Sequence, residues 1–253
     1  MKKEFNSKRY WRSLDDQAKI YSLSYNKKDT SIFRLSVVLK EKIDEIILQK
    51  SIELAQKLKV PVHIHYMETE DENKQIKEKY GKTVTQYLKD TGIFNHKTIL
   101  AHGVWADDAD IKELIKYDTA IVHNPISNQK LGSGIANTKL MLENGLTVAL
   151  GTDGQGSTNT LDMFEEIKSA AYLQKVKNNS ATAISGYDVL KMATINGAKA
   201  LGLENEIGTI EVGKKADVIT IVNEKFPPYE LSRFDHNNWV LSKVNFKPCN
   251  NAK

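Results

Sequence analysis

Apolar residues recur along most of the chain in short runs that alternate with longer amphipathic stretches. The short runs predict strands at 31–39, 60–65, 98–102, 119–123 and 147–150. Apolar positions three and four residues apart predict a helix at 40–58, and a polar, helix-favouring stretch predicts one at 70–90. Further helices are predicted at 107–117, 138–144, 161–175 and 187–201. Because single helices separate the strands, the pattern predicts βαβ units and therefore an α/β fold with a parallel sheet.

The two ends of the chain depart from this alternation. Residues 1–30 are polar and predict a partly helical, frayed segment. Residues 208–213 and 216–222 are rich in β-branched side chains and predict a β-hairpin. We therefore expect three units, namely a poorly defined segment at 1–30, a barrel-like body at 31–205 and a C-terminal β segment at 206–253.

Composition and charge narrow the class of protein. The 253 residues are 40% hydrophobic and 27% charged, as in ordinary globular domains, and the net charge of +4 argues against nucleic acid as a partner. No apolar run approaches the ~18 residues that span a bilayer, and no apolar stretch follows the basic N-terminus as it would in a secretory signal. The single cysteine, Cys249, cannot form an internal disulfide, so we expect a cytoplasmic protein without a membrane partner.

Ionisable side chains cluster at the carboxyl ends of the predicted strands. His63, His65, His102 and His123 lie at or near these ends, and Asp153 follows a fifth strand in a glycine-rich turn. In barrels built from βα units, those strand ends form the mouth of the active site. One such histidine is more often a structural hydrogen-bonding residue than a ligand. Four of them with an aspartate favour a divalent-metal site, with zinc as the first choice.

Glu68 lies three residues beyond His65. An isolated glutamate at this position is usually a solvated helix start. Next to a metal-bound water, however, its carboxylate could act as a proton shuttle.

Seven motifs in this order resemble the amidohydrolase superfamily, and within it the 5-methylthioadenosine/S-adenosylhomocysteine deaminase branch, whose near relatives include guanine deaminase and the triazine chlorohydrolases. The resemblance covers roughly residues 45–225. The motifs are HIHYMETEDE at 63–72, LAHGVW at 100–105, HNPISNQKLGSGIA at 123–136, LGTDG at 150–154, STNTLDMFEE at 157–166, ATINGAKALG at 193–202 and GTIEVGKKAD at 208–217.

The resemblance implies a role for four residues. His65 corresponds to the metal ligand of barrel strand 5, and Glu68 to the residue that shuttles a proton and contacts the purine edge. His102 corresponds to the strand-6 histidine that orients water or substrate, and Asp153 to the strand-8 metal ligand and base. Glu68, His102 and Asp153 are thus expected in both catalysis and substrate binding. The implied cofactor is zinc, or another divalent metal such as iron, manganese or nickel, and the implied reaction is hydrolytic deamination of a small purine nucleoside.

The family's first metal motif, a His-x-His pair on barrel strand 1, has no counterpart, because residues 1–62 contain no histidine. The motif order therefore predicts a partial TIM-type barrel, from strand 4 or 5 to strand 8, with a small C-terminal β segment and an N-terminally truncated chain. In an alternative interpretation, His63 and His65 are the strand-1 pair of a smaller barrel.

Three functional hypotheses follow from the resemblance. The first is a metal-dependent deaminase of methylthioadenosine or S-adenosylhomocysteine. The second is a catalytically impaired remnant, or a half-barrel that needs a partner chain, with homo-oligomers as one form of association. The third is a relative that resembles guanine deaminase or a chlorohydrolase, because metal-site residues do not select the leaving group.

Overall fold

The computed structural model describes residues 35–37, 45–216, 218–219, 221–222 and 245–246. The predicted segment at 1–30 lies outside them, and the domain boundaries stay predictions. Five parallel strands form one sheet in which each strand pairs with its successor along the chain. They are β1 (Leu35–Val37), β2 (Val62–Tyr66), β3 (Thr98–His102), β4 (Thr119–His123) and β5 (Thr147–Leu150). This order confirms the predicted βαβ arrangement.

Helices connect the strands and follow the last of them. They are α1 (Glu45–Leu58), α2 (Glu70–Tyr80), α3 (Val84–Asp90), α4 (Asp108–Leu114), α5 (Pro125–Lys130), α6 (Thr138–Glu143), α7 (Gln155–Thr158), α8 (Met163–Lys177), α9 (Gly186–Ala193) and α10 (Ile195–Leu201), with a 3-10 turn at Ile93–Asn95. No helix in the described part of the chain is long and apolar enough to cross a membrane.

One face of the sheet packs against the helix layer. Val62, Ile64 and Tyr66 of β2 are fully buried there, whereas His63 and His65 between them are only partly buried. Since side chains alternate between the two faces of a strand, both histidines lie on the opposite face. We call this second face the site face.

The site face is lined by small side chains near its carboxyl end. The strand register aligns His65 with Ala101, Val122 and Ala149 on the neighbouring strands. Ala120 and Ala149 pack with Ala200 of α10 in a cluster separate from the main core. The helix thus covers part of this face.

The predicted helix at 70–90 is wrong in its extent, because the chain forms two helices there. Gly81 ends α2 with a φ of 68°, a left-handed conformation that glycine adopts without strain. Thr83 then starts α3 with a capping box, in which its hydroxyl accepts from the Gln86 backbone and the Gln86 side chain accepts from the Thr83 backbone.

The predicted helix at 187–201 also divides into two. Ser185 starts α9 through a capping box with Asp188. Thr194 has a φ of −126° and a ψ of −97°, which interrupts the helix, and its hydroxyl donates to the carbonyl of Leu190. The chain then continues as α10.

The predicted hairpin at 208–222 is wrong. Residues 208–213 form no strand, and Ile210 and Val212 are exposed. Local turns satisfy the backbone instead, with the amide of Lys215 donating to the carbonyl of Glu206 over 2.8 Å. The two residues of β6 (Ile221–Val222) pair antiparallel with β7 (Asn245–Phe246), a partner too distant in sequence for a turn signal to reveal.

Candidate active site

The junction after β2 positions His65 and Glu68. Met67 directly follows the strand with a φ of 48°, so the chain turns sharply before α2 begins. The backbone amide of Glu68 donates to Oε2 of Glu72 over 3.1 Å, which fixes this turn. Burial raises the pKa of Glu72 to about 7 in spite of that hydrogen bond. The Glu68 side chain is left facing the end of β3.

His102 points toward His65 because of an unusual backbone conformation. The register pairs His102 with Tyr66, whose side chain lies in the helix layer. The φ of His102 is 77°, however, and its ring stacks on the ring of His65 with centroids 5.3 Å apart. Its Nε2 lies 4.0 Å from Oε2 of Glu68. A left-handed conformation in a bulky residue costs about 1–3 kcal/mol, and strain of this kind concentrates at functional sites.

The other nitrogen of His102 faces two asparagine side chains. Oδ1 of Asn128 lies 2.8 Å from His102 Nδ1, and Nδ2 of Asn124 lies 3.4 Å from the same atom. All three side chains are buried. Gly151 makes room for this arrangement, because a Cβ at that position would lie 2.5 Å from Oδ1 of Asn124.

Asp153 lies in the junction after β5, and it also has a left-handed backbone with a φ of 58°. Its Oδ2 accepts a hydrogen bond from the hydroxyl of Ser127 over 2.7 Å, and its Oδ1 accepts from the amide of Gly154 over 2.8 Å. Burial alone would raise the pKa of Asp153. The two hydrogen bonds and the nearby His102 outweigh burial and hold the pKa below its usual range. Asp153 is therefore ionised at neutral pH.

Ser127 and Asn128 both belong to α5, which is anchored at its two ends. The buried Glu166 of α8 accepts a hydrogen bond from the backbone amide of Ile126 in the first turn of α5. At the other end, Nζ of Lys130 donates to the carbonyl of Gly156 over 2.8 Å. A helix of six residues has little stability of its own. Its position therefore depends on these tertiary contacts.

His123 does not join the other histidines on the site face. Side chains alternate between the two faces along β4, so His123 lies on the same face as the buried Ile121, toward the helix layer. Burial, and then the charge of His102, lower the pKa of His123 to about 3. Neither ring nitrogen has a hydrogen-bond partner among the described residues. His123 is thus neutral and buried.

The structure brings together His65, His102 and Glu68, and it places Asp153 close enough to His102 to be influenced by its charge. A catalytic zinc usually has three protein ligands. Within the described ranges, no group of three histidine, cysteine, aspartate or glutamate side chains could hold a metal ion. The donor set present in these residues therefore does not by itself fit the implied metal.

Sequence reasoning missed the residues that support this cluster. Ser127 and Asn128 lie in the motif at 123–136, and Glu166 ends the motif at 157–166. Pro125, two residues after a predicted strand, could have suggested a short helix with proline in its first turn. Nothing in the pattern indicated which side chains α5 would contact.

A parallel sheet whose carboxyl ends carry a histidine–carboxylate cluster is the arrangement of an active site in the α/β-barrel class of enzymes. The sequence pattern of the amidohydrolase family matches residues 42–248, and the chain belongs to that family. It is therefore related to enzymes that act on carbon–nitrogen bonds, as the resemblance implied.

Three comparisons illustrate this membership. The chain is 51% identical over 174 residues to a 5-methylthioadenosine/S-adenosylhomocysteine deaminase of Caldanaerobacter subterraneus subsp. tengcongensis, with 69% of this chain and 40% of the relative covered. It is 49% identical over 191 residues to a 5'-deoxyadenosine deaminase of Methanosarcina acetivorans, with 76% and 43% covered. A zinc-bound adenosine deaminase from Xanthomonas campestris superposes with a TM-score of 0.77 at 33% identity, with 81% of this chain and 47% of that one covered.

The chain thus spans about half the length, or less, of the curated relatives it matches. The superposition on a deaminase of this family confirms the predicted α/β barrel type and its partial extent.

Proposed function

We propose that this chain contributes to a hydrolytic deaminase of adenosine-type purine nucleosides, with 5-methylthioadenosine and S-adenosylhomocysteine as the first candidate substrates. The observation that carries the proposal is the convergence of Glu68 and Asp153 on His102 at the carboxyl ends of the strands. Relatives about half identical in sequence bear the names of deaminases for this class of nucleoside, which supports the choice of substrate.

In this proposal the chain's own side chains orient the reactants and move protons. Water adds to the carbon that bears the amino group, and ammonia leaves. Asp153, ionised because its pKa is low, accepts a proton from the water and passes it to the amino group, which then leaves as ammonia. Glu68 donates a proton to the purine edge and takes one back from the added hydroxyl as the carbonyl forms. His102 orients the water or the substrate. Positioned acids and bases of this kind typically accelerate a reaction by about 10²–10⁴-fold.

The proposal also assigns His65 and Asp153 as two ligands of a divalent metal, for which zinc is the first candidate. When bound, such a metal would lower the pKa of a coordinated water. The described residues contain no group of three potential ligands, so any further ligand would come from outside them. We therefore assign no step of the reaction to the metal.

Ammonia release from methylthioadenosine by the purified chain tests the proposal, together with bound metal per chain. Asp153→Asn and Glu68→Gln each remove a carboxylate and should lower turnover by at least about 100-fold. Lys112→Gln is the matched control, since Lys112 is exposed and pairs with Asp108 on the surface of α4. Its turnover should equal that of the unchanged chain.

Two results would contradict the proposal. A folded chain that releases no ammonia from methylthioadenosine or 5'-deoxyadenosine would refute activity of this chain and favour the half-barrel hypothesis. Turnover that survives Asp153→Asn would refute the role of Asp153. Sedimentation of the same sample would show whether the chain associates with a second copy.

A further inference from the structure

Two consecutive residues of α5 reach the ends of two different strands. Consecutive helical residues point about 100° apart, so Ser127 and Asn128 point in different directions from α5. Ser127 contacts Asp153 beyond β5, and Asn128 contacts His102 at the end of β3. Because β4 lies between β3 and β5, a helix that directly follows β4 is placed to reach both. The position of α5 in the fold therefore fixes the contact between Asn128 and His102.

Two amide groups act in opposite senses on Nδ1 of His102. Oδ1 of Asn128 is an acceptor and favours a proton on Nδ1, whereas Nδ2 of Asn124 is a donor and favours a lone pair there. The Asn128 contact is 2.8 Å long and the Asn124 contact is 3.4 Å long. Hydrogen bonds between nitrogen and oxygen normally measure about 2.7–3.2 Å, so the Asn128 contact dominates.

The geometry at the other nitrogen agrees with this assignment. If Nε2 carried the proton, it would face the carboxylate of Glu68, a strong acceptor. The separation of 4.0 Å is too long for that hydrogen bond. With a lone pair on Nε2, no close approach to Glu68 is expected.

We propose that Asn128 is a positioning residue that holds neutral His102 in the tautomer with the proton on Nδ1, so that Nε2 presents a lone pair toward Glu68. The tautomer itself does not depend on the proposed function, and only its role in catalysis rests on that function. There, His102 accepts a hydrogen bond from the attacking water or from the substrate and does not donate one. Nδ2 of Asn128 has no partner within the described part of the chain, so the hydrogen-bonding role of this side chain depends on Oδ1.

Nitrogen NMR of the full chain with ¹⁵N-labelled histidine tests this tautomer directly. Long-range ¹H–¹⁵N correlations separate a protonated ring nitrogen from one that bears a lone pair, and His102→Gln identifies the His102 signals among the 6 histidines. At a pH where the neutral ring dominates, we expect the Nδ1–H form to exceed the Nε2–H form by about tenfold, as one buried hydrogen bond allows.

Asn128 and Asn124 provide a matched pair of variants, because both are asparagines that face the same nitrogen. Asn128→Ala should shift His102 to mainly Nε2–H, since the donor of Asn124 then remains and free imidazole itself prefers that form. Asn124→Ala should keep the Nδ1–H form. Asn128→Asp retains an acceptor oxygen at the same place, so His102 should stay mainly in the Nδ1–H form, unlike in Asn128→Ala.

Either of two results would overturn the inference. One is a wild-type chain with mainly Nε2–H at His102, a result that needs no variant to fold. The other is an unchanged Nδ1–H majority in Asn128→Ala with a native-like amide spectrum. The measurement requires no substrate, so an inactive chain would refute the proposed deamination without affecting this test. Conversely, a ring mainly in the Nε2–H form would overturn this inference without deciding whether the chain deaminates its substrate.

Discussion

Replacing Glu166 with glutamine should stabilise the chain at neutral pH and leave its stability unchanged in acid. Glu166 is fully buried in α8, where its carboxylate accepts hydrogen bonds from the amide of Ile126 and the hydroxyl of Thr158. Burial raises the pKa of Glu166 to about 6 in spite of both bonds. Glutamine has the same shape and can keep one acceptor and one donor at these positions.

The sign of the effect follows from proton binding. The folded pKa of about 6 exceeds the ordinary value of 4.5, so the folded chain binds this proton more tightly than the unfolded chain. The free energy of unfolding is therefore unaffected well below pH 4.5, falls as the pH rises through the folded pKa of about 6, and levels off about one pH unit above that value. A pKa difference of about 1.5 corresponds to about 2 kcal/mol at most. We expect about 1 kcal/mol, because polar groups of α5 and α7 screen the charge.

Urea unfolding of both proteins between pH 4.5 and pH 8 measures this difference. Glu166→Gln should gain about 1 kcal/mol over the unchanged chain at pH values above 6, and the gain should vanish toward pH 4.5. Glu165→Gln is the control, since Glu165 is the exposed neighbour on the same helix. A gain that does not vary with pH, or that equals the gain of the control, would refute the reasoning.

Three further substitutions test the packing around the site, each by urea unfolding. Leu100→Ala empties a fully buried core position and should lower the free energy of unfolding by about 2–5 kcal/mol. Thr85→Val removes the partner 2.6 Å from the buried hydroxyl of Tyr66 and should cost about 1–3 kcal/mol, whereas Thr85→Ser should not. Gly151→Ala places a Cβ within 2.7 Å of two side chains and should cost about 1–3 kcal/mol. Gly156→Ala, with open space around it, should be tolerated.

The strands were predictable because their signal is local. The predicted bounds of β3, β4 and β5 equal those observed. All three are parallel strands, with the helix layer on one side of the sheet and α10 on part of the other. Such strands form continuous apolar runs that are distinct from the spaced apolar positions of helices.

Helix breaks and short helices were not predictable from periodicity. Gly81 and Thr194 interrupt stretches whose apolar spacing continues across the break. The helices α5 and α7 have the sequences PISNQK and QGST, which contain too few apolar residues to form a periodic pattern, whereas the equally short α6 contains three apolar residues. The existence of α5 and α7 depends on contacts with distant residues such as Glu166.

The cluster at the strand ends was predictable in its members and not in its geometry. The motifs named His65, Glu68, His102 and Asp153. Strand alternation alone, however, would direct His102 into the helix layer with Tyr66. Only the left-handed backbone of His102 brings its ring to His65. Conversely, alternation does direct His123 into the helix layer, away from the face that carries His65.

Glu166 connects the stability of the fold to the geometry of the candidate site. An ionised carboxylate makes a stronger hydrogen bond to a backbone amide than a neutral amide side chain does, and it also interacts favourably with the start of a helix. The charge that destabilises the buried position therefore holds α5 more firmly through Ile126. Since α5 carries both Ser127 and Asn128, the same charge helps to fix Asp153 and His102. The buried glutamate thus lowers the stability of the chain while it increases the rigidity of the site, a balance common where function requires fixed geometry.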